Sequence, residues 1–345
     1  MLIKTCHGYY YERGMCIIRS KKKGTIAEGK TMHASRLLCL LAGLLTTVPG
    51  IADLSPRYQD RNQDMVADLP ADSSAWRNPN ILIFAYTPVE DPALYSQVWD
   101  GFISHVSALT GKEIRFFPVQ SNAAQLEAMR AGRLHIAGFN TGSTPVAVNC
   151  AGFVPFTLMA AADDSYGYQM EIITYPDSGI ETPADLKGRQ LAFTSPTSNS
   201  GFKAPSTLLD TEFALQAERD FQTAFSGSHD NSILGVVNRD YAAAAIANEV
   251  LHRMQARGVV RPEQYRSIYT SPTFPTTAYG LAHDLHPELA AKIREAFFSF
   301  DWEGSALQEE FADAGMAKFL PINYQEHWAV IRTIDKANQT VYNCD

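Results

Sequence analysis

The stretch LAFTSPTSNSGFKAPS, residues 191–206, joins a short apolar run to a cluster of hydroxyl and amide side chains around one glycine. The amphipathic TLLDTEFALQ follows it directly. Strand, polar turn and helix in this order are the unit of an α/β fold. The polar turn admits two explanations. Ser, Thr and Asn cap helices and build turns, although a cap needs only one of them. A helix start ringed by hydroxyls also offers free backbone N–H groups to a tetrahedral oxyanion.

The same alternation runs outward from this unit. NILIFAY (80–86) has the β-branched and aromatic character of a buried strand, and LYSQVWDGFISHVSALTG (94–111) keeps helical spacing until Gly111. EIRFFPV, AAQLEAMRAG and RLHIAGF continue as strand, helix, strand. Beyond them EIITYP (171–176) and RQLAFT (189–194) are expected strands, with a helix from Ser206 to about Ala217. DFQTAFSG, a helix near Ile233–Asn238 and YAAAAIANEVLHRM extend the pattern, PTFPTTAYGLA (272–282) is extended, and helices are expected at 287–300, 304–314 and 324–336. This predicts parallel sheets covered by helices in two α/β lobes, with ligands outside the carboxyl ends of the strands. Residues 53–80 read as an extended lead-in.

The 345 residues, 46% hydrophobic and 19% charged, suffice for two cores. A net charge of −8 and the lack of a basic stripe argue against nucleic acid. From Met32, MHASRLLCLLAGLLTTVPGIA has a basic start at Arg36, an apolar run from Leu37 to Leu45 and small residues before Asp53, the layout of a cleaved secretory signal peptide. Met32 then serves as the start, and a lipid anchor at Cys39 is disfavoured by Leu38, where a small residue is wanted. Removing the eight basic and two acidic residues of 1–52 takes the charge from −8 to −14. Only Cys150 and Cys344 remain, which in an oxidising compartment form a disulfide or stay as two separate thiols.

Three polar clusters fall at strand ends, FAYTPVEDP, GFNTGSTP and TSPTSNSGF, and FSGSHDNS (225–232) adds His229 and Asn231. Together they place a site in a cleft between lobes. Catalysis is a weaker alternative: Ser200, His229 and Asp230 or Asp240 supply triad residue types, but no Gly-x-Ser-x-Gly elbow is present. Histidines at 105, 135, 229, 252, 283, 286 and 327 lack ligand spacing for a metal, and no phosphate P-loop motif occurs.

SPTSNSGFKAPS resembles the Ser-Thr/Asn-Ser-Gly signature of the periplasmic solute-binding proteins of phosphonate ABC importers, and SGSHDNS resembles that family's Gly-His-acid loop about thirty residues later. The order from YTPVEDP through MRAGRLHIAGFNTG to SPTFPTT follows the family over about 80–330. The resemblance implies a type II periplasmic binding protein: two α/β lobes, a two-strand hinge and a ligand cleft. Lobe 1 is expected over 80–168 and 277–345, and lobe 2 over 169–276. It implies no enzyme activity and no cofactor or metal, but a periplasmic monomer that captures a small phosphorus oxyanion for an ABC permease. A sensory branch would instead present an oxyanion, arsenite included, to a sensor histidine kinase, with Cys150 as a soft ligand.

By that resemblance Thr197, Ser198, Asn199, Ser200 and His229 hold the oxyanion, with backbone N–H groups of the next helical turn. Phe139, Asn140 and Thr141 match the loop that in relatives carries a cleft tyrosine, and Thr87 faces the anion from the first lobe. Thr277 stands where aminoalkylphosphonate binders carry an aspartate, and 241–248 is neutral where relatives often place an acid. The expected ligand is therefore phosphite, phosphate or methylphosphonate, without a cationic tail, or else arsenite or arsenate.

Overall fold

The computed structural model describes residues 54–342 and 344. The expected signal peptide and start at Met32 lie outside them. Strands β1 (Ile81–Tyr86), β2 (Glu113–Phe116), β3 (Ile136–Phe139) and β4 (Phe153–Ala161) are followed by β5 (Tyr168–Thr174), β6 (Gln190–Phe193), β7 (Gln222–Phe225) and β8 (Ala243–Ala247). β9 (Arg266–Phe274), β10 (Ala278–Ala282) and β11 (Met316–Pro321) complete the set. The helices are α1 (Pro92–Val98), α2 (Asp100–Thr110), α3 (Asn122–Arg130), α4 (Thr144–Ala151), and α5 (Ala204–Phe213) with its wide opening turn Asn199–Lys203. Then come α6 (His229–Val237), α7 (Asn248–Ala256), α8 (Pro287–Phe298), α9 (Ala306–Glu310), α10 (Tyr324–His327) and α11 (Ala329–Ala337).

Two sheets result, in the orders β11-β4-β10-β3-β1-β2 and β7-β6-β8-β5-β9. The expectation of parallel sheets holds only for part of each. β1 pairs in parallel with β2 and β3, and β6 with β7 and β8, as βαβ crossovers require. β10, β4 and β11 join the first sheet antiparallel, and β5 and β9 join the second antiparallel. The reason is connectivity: the chain leaves the first sheet at 162–167 and re-enters it at 275–277, so β4, β5, β9 and β10 carry a crossing between sheets instead of a local crossover helix.

The expected helix at 94–111 is two helices that meet at Trp99, whose fully buried ring forms a cluster with Phe84, Tyr86, Phe102 and Tyr279. Gly111 ends the second of them in the left-handed conformation that glycine adopts without strain. Under the second sheet, β8 reads AAAIA and every residue is buried, so small side chains let helices pack close to it on both faces. Among the described residues no helix is long and apolar enough to cross a membrane.

Cys150 at the end of α4 is bonded to Cys344, 194 residues later. Of the two alternatives open for these cysteines, the disulfide is the one formed. Cys150 accordingly has no free thiol to offer arsenic. The bond fixes the C-terminal tail beside α3, where Arg130 Nη1 donates to the Cys344 carbonyl at 2.9 Å. Closing so long a loop restricts the unfolded chain, and replacing both cysteines with serine is expected to lower stability by about 2–4 kcal/mol. Urea unfolding reads this directly; coincident midpoints for the two proteins would mean the tail is held by its other contacts.

Candidate functional site

The loops after β1, β3, β6 and β7 and the start of α7 after β8 converge at the carboxyl ends of the parallel strands. Between them lies a cavity of about 20 Å³, lined by Val89, Asn140, Thr141, Tyr168, Ser198, Asn199, Ser200, His229, Ala247, Glu249 and Thr277. The space is small, so any guest held there is compact. Loops of both sheets form its wall and touch directly. His229 N–H donates to the Val89 carbonyl at 3.2 Å, and Thr141 Oγ1 donates to the Pro275 carbonyl at 2.7 Å. Gly142 is required here: a Cβ would lie 2.2 Å from the Thr197 carbonyl oxygen and 2.5 Å from Asn199 N.

The 191–206 stretch builds one side of the cavity. Ser198 caps the helix, its Oγ accepting from Gly201 N–H at 3.0 Å. Among the described residues no partner outside the helix meets the N–H groups of Asn199 and Ser200, the usual condition of a first turn. Gly201 allows this tight entry, since a Cβ there would lie 2.0 Å from Thr194 Oγ1. One serine thus caps the helix start, and Ser198, Asn199 and Ser200 are the residues of the stretch that line the cavity. Asn199 Nδ2 donates to the Tyr168 hydroxyl at 3.2 Å, while Asn199 Oδ1 is buried without a partner.

His229 opens α6, and its Nδ1 accepts from Ala247 N–H at 3.0 Å. The ring proton therefore sits on Nε2, the nitrogen left for the cavity. Burial, reinforced by the Arg253 charge, pushes its pKa down to about 3, so the ring is a neutral donor near neutrality.

Of the ten residues expected at the site, Asn140, Thr141, Ser198, Asn199, Ser200, His229 and Thr277 line the cavity. Thr87, Phe139 and Thr197 do not. Phe139 is a core residue packed on Phe153. Thr87 Oγ1 donates to Asn122 Oδ1 at 3.1 Å, and Asn122 Nδ2 donates to Ser195 Oγ at 3.2 Å and Thr197 Oγ1 at 3.0 Å. Asn140 Nδ2 shares the same Asn122 oxygen. Asn122, at the start of α3, thus ties the first sheet's loops to the second sheet's polar turn, a role its sequence context did not announce.

Glu249 overturns a further expectation. The segment 241–248 is neutral, but the next residue, in the first turn of α7, brings a carboxylate to the cavity beside Thr277. Burial raises its pKa, and the Arg253 guanidinium opposes that shift. Glu249 and Thr277 also line a neighbouring cavity with Tyr86, Met159, Thr276, Tyr279, Phe311 and Met316. The absence of an acid near Thr277 therefore cannot be the ground for excluding a cationic ligand. One turn along α7, buried Arg253 meets Glu90 of the β1–α1 loop at 3.4 Å, and Arg257 meets the same carboxylate at 3.2 Å, a second tie between the two halves.

Known proteins share this fold. Residues 84–328 match the model of the family described as ABC transporter, phosphonate, periplasmic substrate-binding protein. The chain is 25% identical over 280 residues to the phosphate-import protein PhnD of Mycolicibacterium smegmatis, covering 78% of this chain and 86% of that one. Among solved structures, PhnD1 of Prochlorococcus marinus in complex with methylphosphonate superposes with a TM-score of 0.68 at 16% identity, over 76% of this chain and all of that one. A binding-protein component of an ABC phosphonate transporter from Pseudomonas aeruginosa gives 0.67 at 22% identity, over 76% and 87%. These likenesses identify the fold as that of type II periplasmic binding proteins. The chain belongs to the phosphonate family of periplasmic substrate-binding proteins of ABC transporters, the component that binds the transported substrate without transforming it.

Proposed function

We propose that this cavity captures a small phosphorus oxyanion, phosphite, phosphate or an alkylphosphonate, and that the ligand-bound protein delivers it to an ABC permease in the inner membrane. The observation that carries the proposal is the convergence, in one cavity, of Ser198, Asn199, Ser200 and the His229 ring, whose nitrogen not bonded to Ala247 N–H is a donor. A compact anion takes hydrogen bonds from all of these, and fixed dipoles offset the acidic net charge. The family assignment favours import over presentation to a sensor kinase. The relatives' names point the same way, one being a phosphate importer and one a methylphosphonate complex. In this proposal residues 1–52 are removed on export, and the monomer closes 80–168 with 277–345 against 169–276 about the two crossings between sheets.

Calorimetry with phosphite, phosphate and methylphosphonate tests the proposal. At least one is expected to bind, and Ser200→Ala is expected to weaken it by about 1.5–3 kcal/mol, the worth of a hydrogen bond to a charged group. His229→Ala is expected to weaken it similarly. Wild-type affinity in both variants, or no binding of any of the three, would place the site elsewhere.

A further inference from the structure

The C-terminal segment touches both halves of the molecule. β11 lies at the edge of the first sheet, yet α11 packs against α5 and its opening turn, which belong to the second. The tail then returns: Cys344 is bonded to Cys150 of α4, and its carbonyl accepts from Arg130 of α3, both helices of the first half. The helix is thus held on the second lobe and fastened to the first at both ends.

At its start the fully buried Trp328 donates from Nε1 to the Thr141 carbonyl at 2.9 Å, in the β3–α4 loop that lines the cavity. Along its length Asp335 meets the Lys203 ammonium at 2.8 Å, and just past its end Asn338 Nδ2 donates to the Lys203 carbonyl at 3.0 Å. Little slack follows. Thr340 N–H donates to the Asp335 carbonyl at 2.8 Å and the Tyr342 hydroxyl donates to the Asp335 carboxylate, so the chain stays on α11 until two residues before Cys344.

We propose that this segment is a strap, drawn tight by the Cys150–Cys344 bond, that favours the closed arrangement of the two lobes and slows release of the bound ligand. The inference rests on the lobe closure of the proposed function, and it goes further in assigning what holds the closed form. Opening about the crossings at 162–167 and 275–277 carries α5 away from α4. With the tail fastened, α11 has two courses. It stays with the first lobe and strips Lys203 of its carboxylate, a costly separation of a buried pair, or it follows the second lobe and pulls on both the Trp328 contact and the tail. With the tail free, α11 follows α5 at the expense of the contacts at its start alone. The strap also bears on the ligand directly, because Trp328 holds the loop whose Thr141 lines the cavity. Such a bond persists in an oxidising compartment, so the chain with both thiols free is the weaker binder.

The test compares the wild type with the Cys150→Ser, Cys344→Ser double variant, with thermal unfolding to verify that the variant is folded. Small-angle scattering gives the ligand-free radius of gyration, and stopped-flow gives the rates at which phosphite, phosphate or methylphosphonate binds and leaves. Without ligand the variant is expected to have the larger radius. Its dissociation is expected to be about fivefold faster or more, the low end of the usual coupling between two sites, with association not slowed. An unchanged radius would overturn the inference, and a larger radius with an unchanged dissociation rate would overturn its link to capture. The bond would then be a staple that raises stability alone. If none of the three ligands binds, the proposed function falls and the radius still decides on the strap. If the double variant does not fold, Trp328→Phe takes its place, since it removes the bond to Thr141 and keeps a ring there. Its ligand-free radius is expected to exceed that of the wild type, and an equal one refutes the strap.

Discussion

Replacing Asp335 with alanine is expected to cost about 3–5 kcal/mol of folding stability, the usual consequence of stranding one charge of a buried pair. Lys203, in the opening turn of the helix that follows the polar stretch, has its Nζ 2.8 Å from Asp335 Oδ1 on α11, with side chains only 4% and 2% exposed. The ammonium aims its hydrogen bond at the Gly142 carbonyl, also at 2.8 Å, so the carboxylate contact is ionic more than a well-aligned hydrogen bond. The second carboxylate oxygen accepts from Tyr342. Three separate elements are joined: the polar turn of the second sheet, the β3–α4 loop of the first and the C-terminal helix. Burial pushes the Lys203 pKa below its ordinary value, and Asp335 limits that fall. Without Asp335 the fall deepens. A group whose folded pKa is depressed gives stability that rises with pH up to its unfolded value, so the deficit of the variant should shrink as the pH is raised toward 10. Lys203→Met combined with Asp335→Leu should recover most of the loss, because two apolar groups leave no charge stranded. Urea unfolding of the two variants measures all of this. A single variant within about 1 kcal/mol of wild type would mean that water reaches the ammonium and that the pair is not sealed.

The reach of the sequence differs between fold and site for physical reasons. Strands of the parallel centres, such as NILIFAY and RQLAFT, are buried on both faces and announce themselves as apolar runs between polar turns. β4 and β11, FVPFTLMAA and MAKFLP, lie in the antiparallel part of the first sheet, where no local helix crossover marks them, and were not anticipated. At the site the loops were legible because carboxyl ends of parallel strands collect polar residues. Which side chain of a loop faces the cavity was not. Thr87 and Thr197 differ from Thr141 only in the direction in which a turn points them, and Thr87 is spent on Asn122. Tyr168 and Ala247 come from strand ends in apolar runs that carry no polar signature. Glu249 did have a signal, an acid in the first helical turn after a strand, one residue beyond the neutral segment. Lys203 lies inside the polar stretch itself, but its partner 132 positions away is visible only in three dimensions.

Acidification below about pH 6 is expected to destabilise the protein steeply through its histidines. His229 Nδ1 accepts from Ala247 N–H and His135 Nδ1 accepts from Ile83 N–H, each at 3.0 Å, with both side chains buried. Protonating either ring would set one N–H against another in a site that water does not reach. Burial, aided by Arg253 for the first and Arg77 for the second, lowers their pKa values from 6.5 to about 3 and about 4. Between these values and 6.5 the unfolded chain binds the protons that the folded chain refuses. The stabilisation is therefore complete above 6.5 and is lost as the pH falls. Each unit costs about 1.4 kcal/mol per histidine, or about 3 kcal/mol per unit for the pair until His135 takes its proton near 4. His283, whose pKa burial also lowers, acts in the same direction. Chemical unfolding at pH 7, 6 and 5 measures the slope, and His135→Asn should remove close to half of it, since asparagine Oδ1 can accept the same backbone N–H without titrating. Equal stability at pH 7 and pH 5 would mean that these rings protonate in the fold as readily as in the open chain. The same neutrality keeps the free nitrogen of His229 a donor of fixed charge through the range in which a phosphorus oxyanion changes its own protonation. Under the proposed function, any pH dependence of binding near neutrality then comes from groups other than the His229 ring.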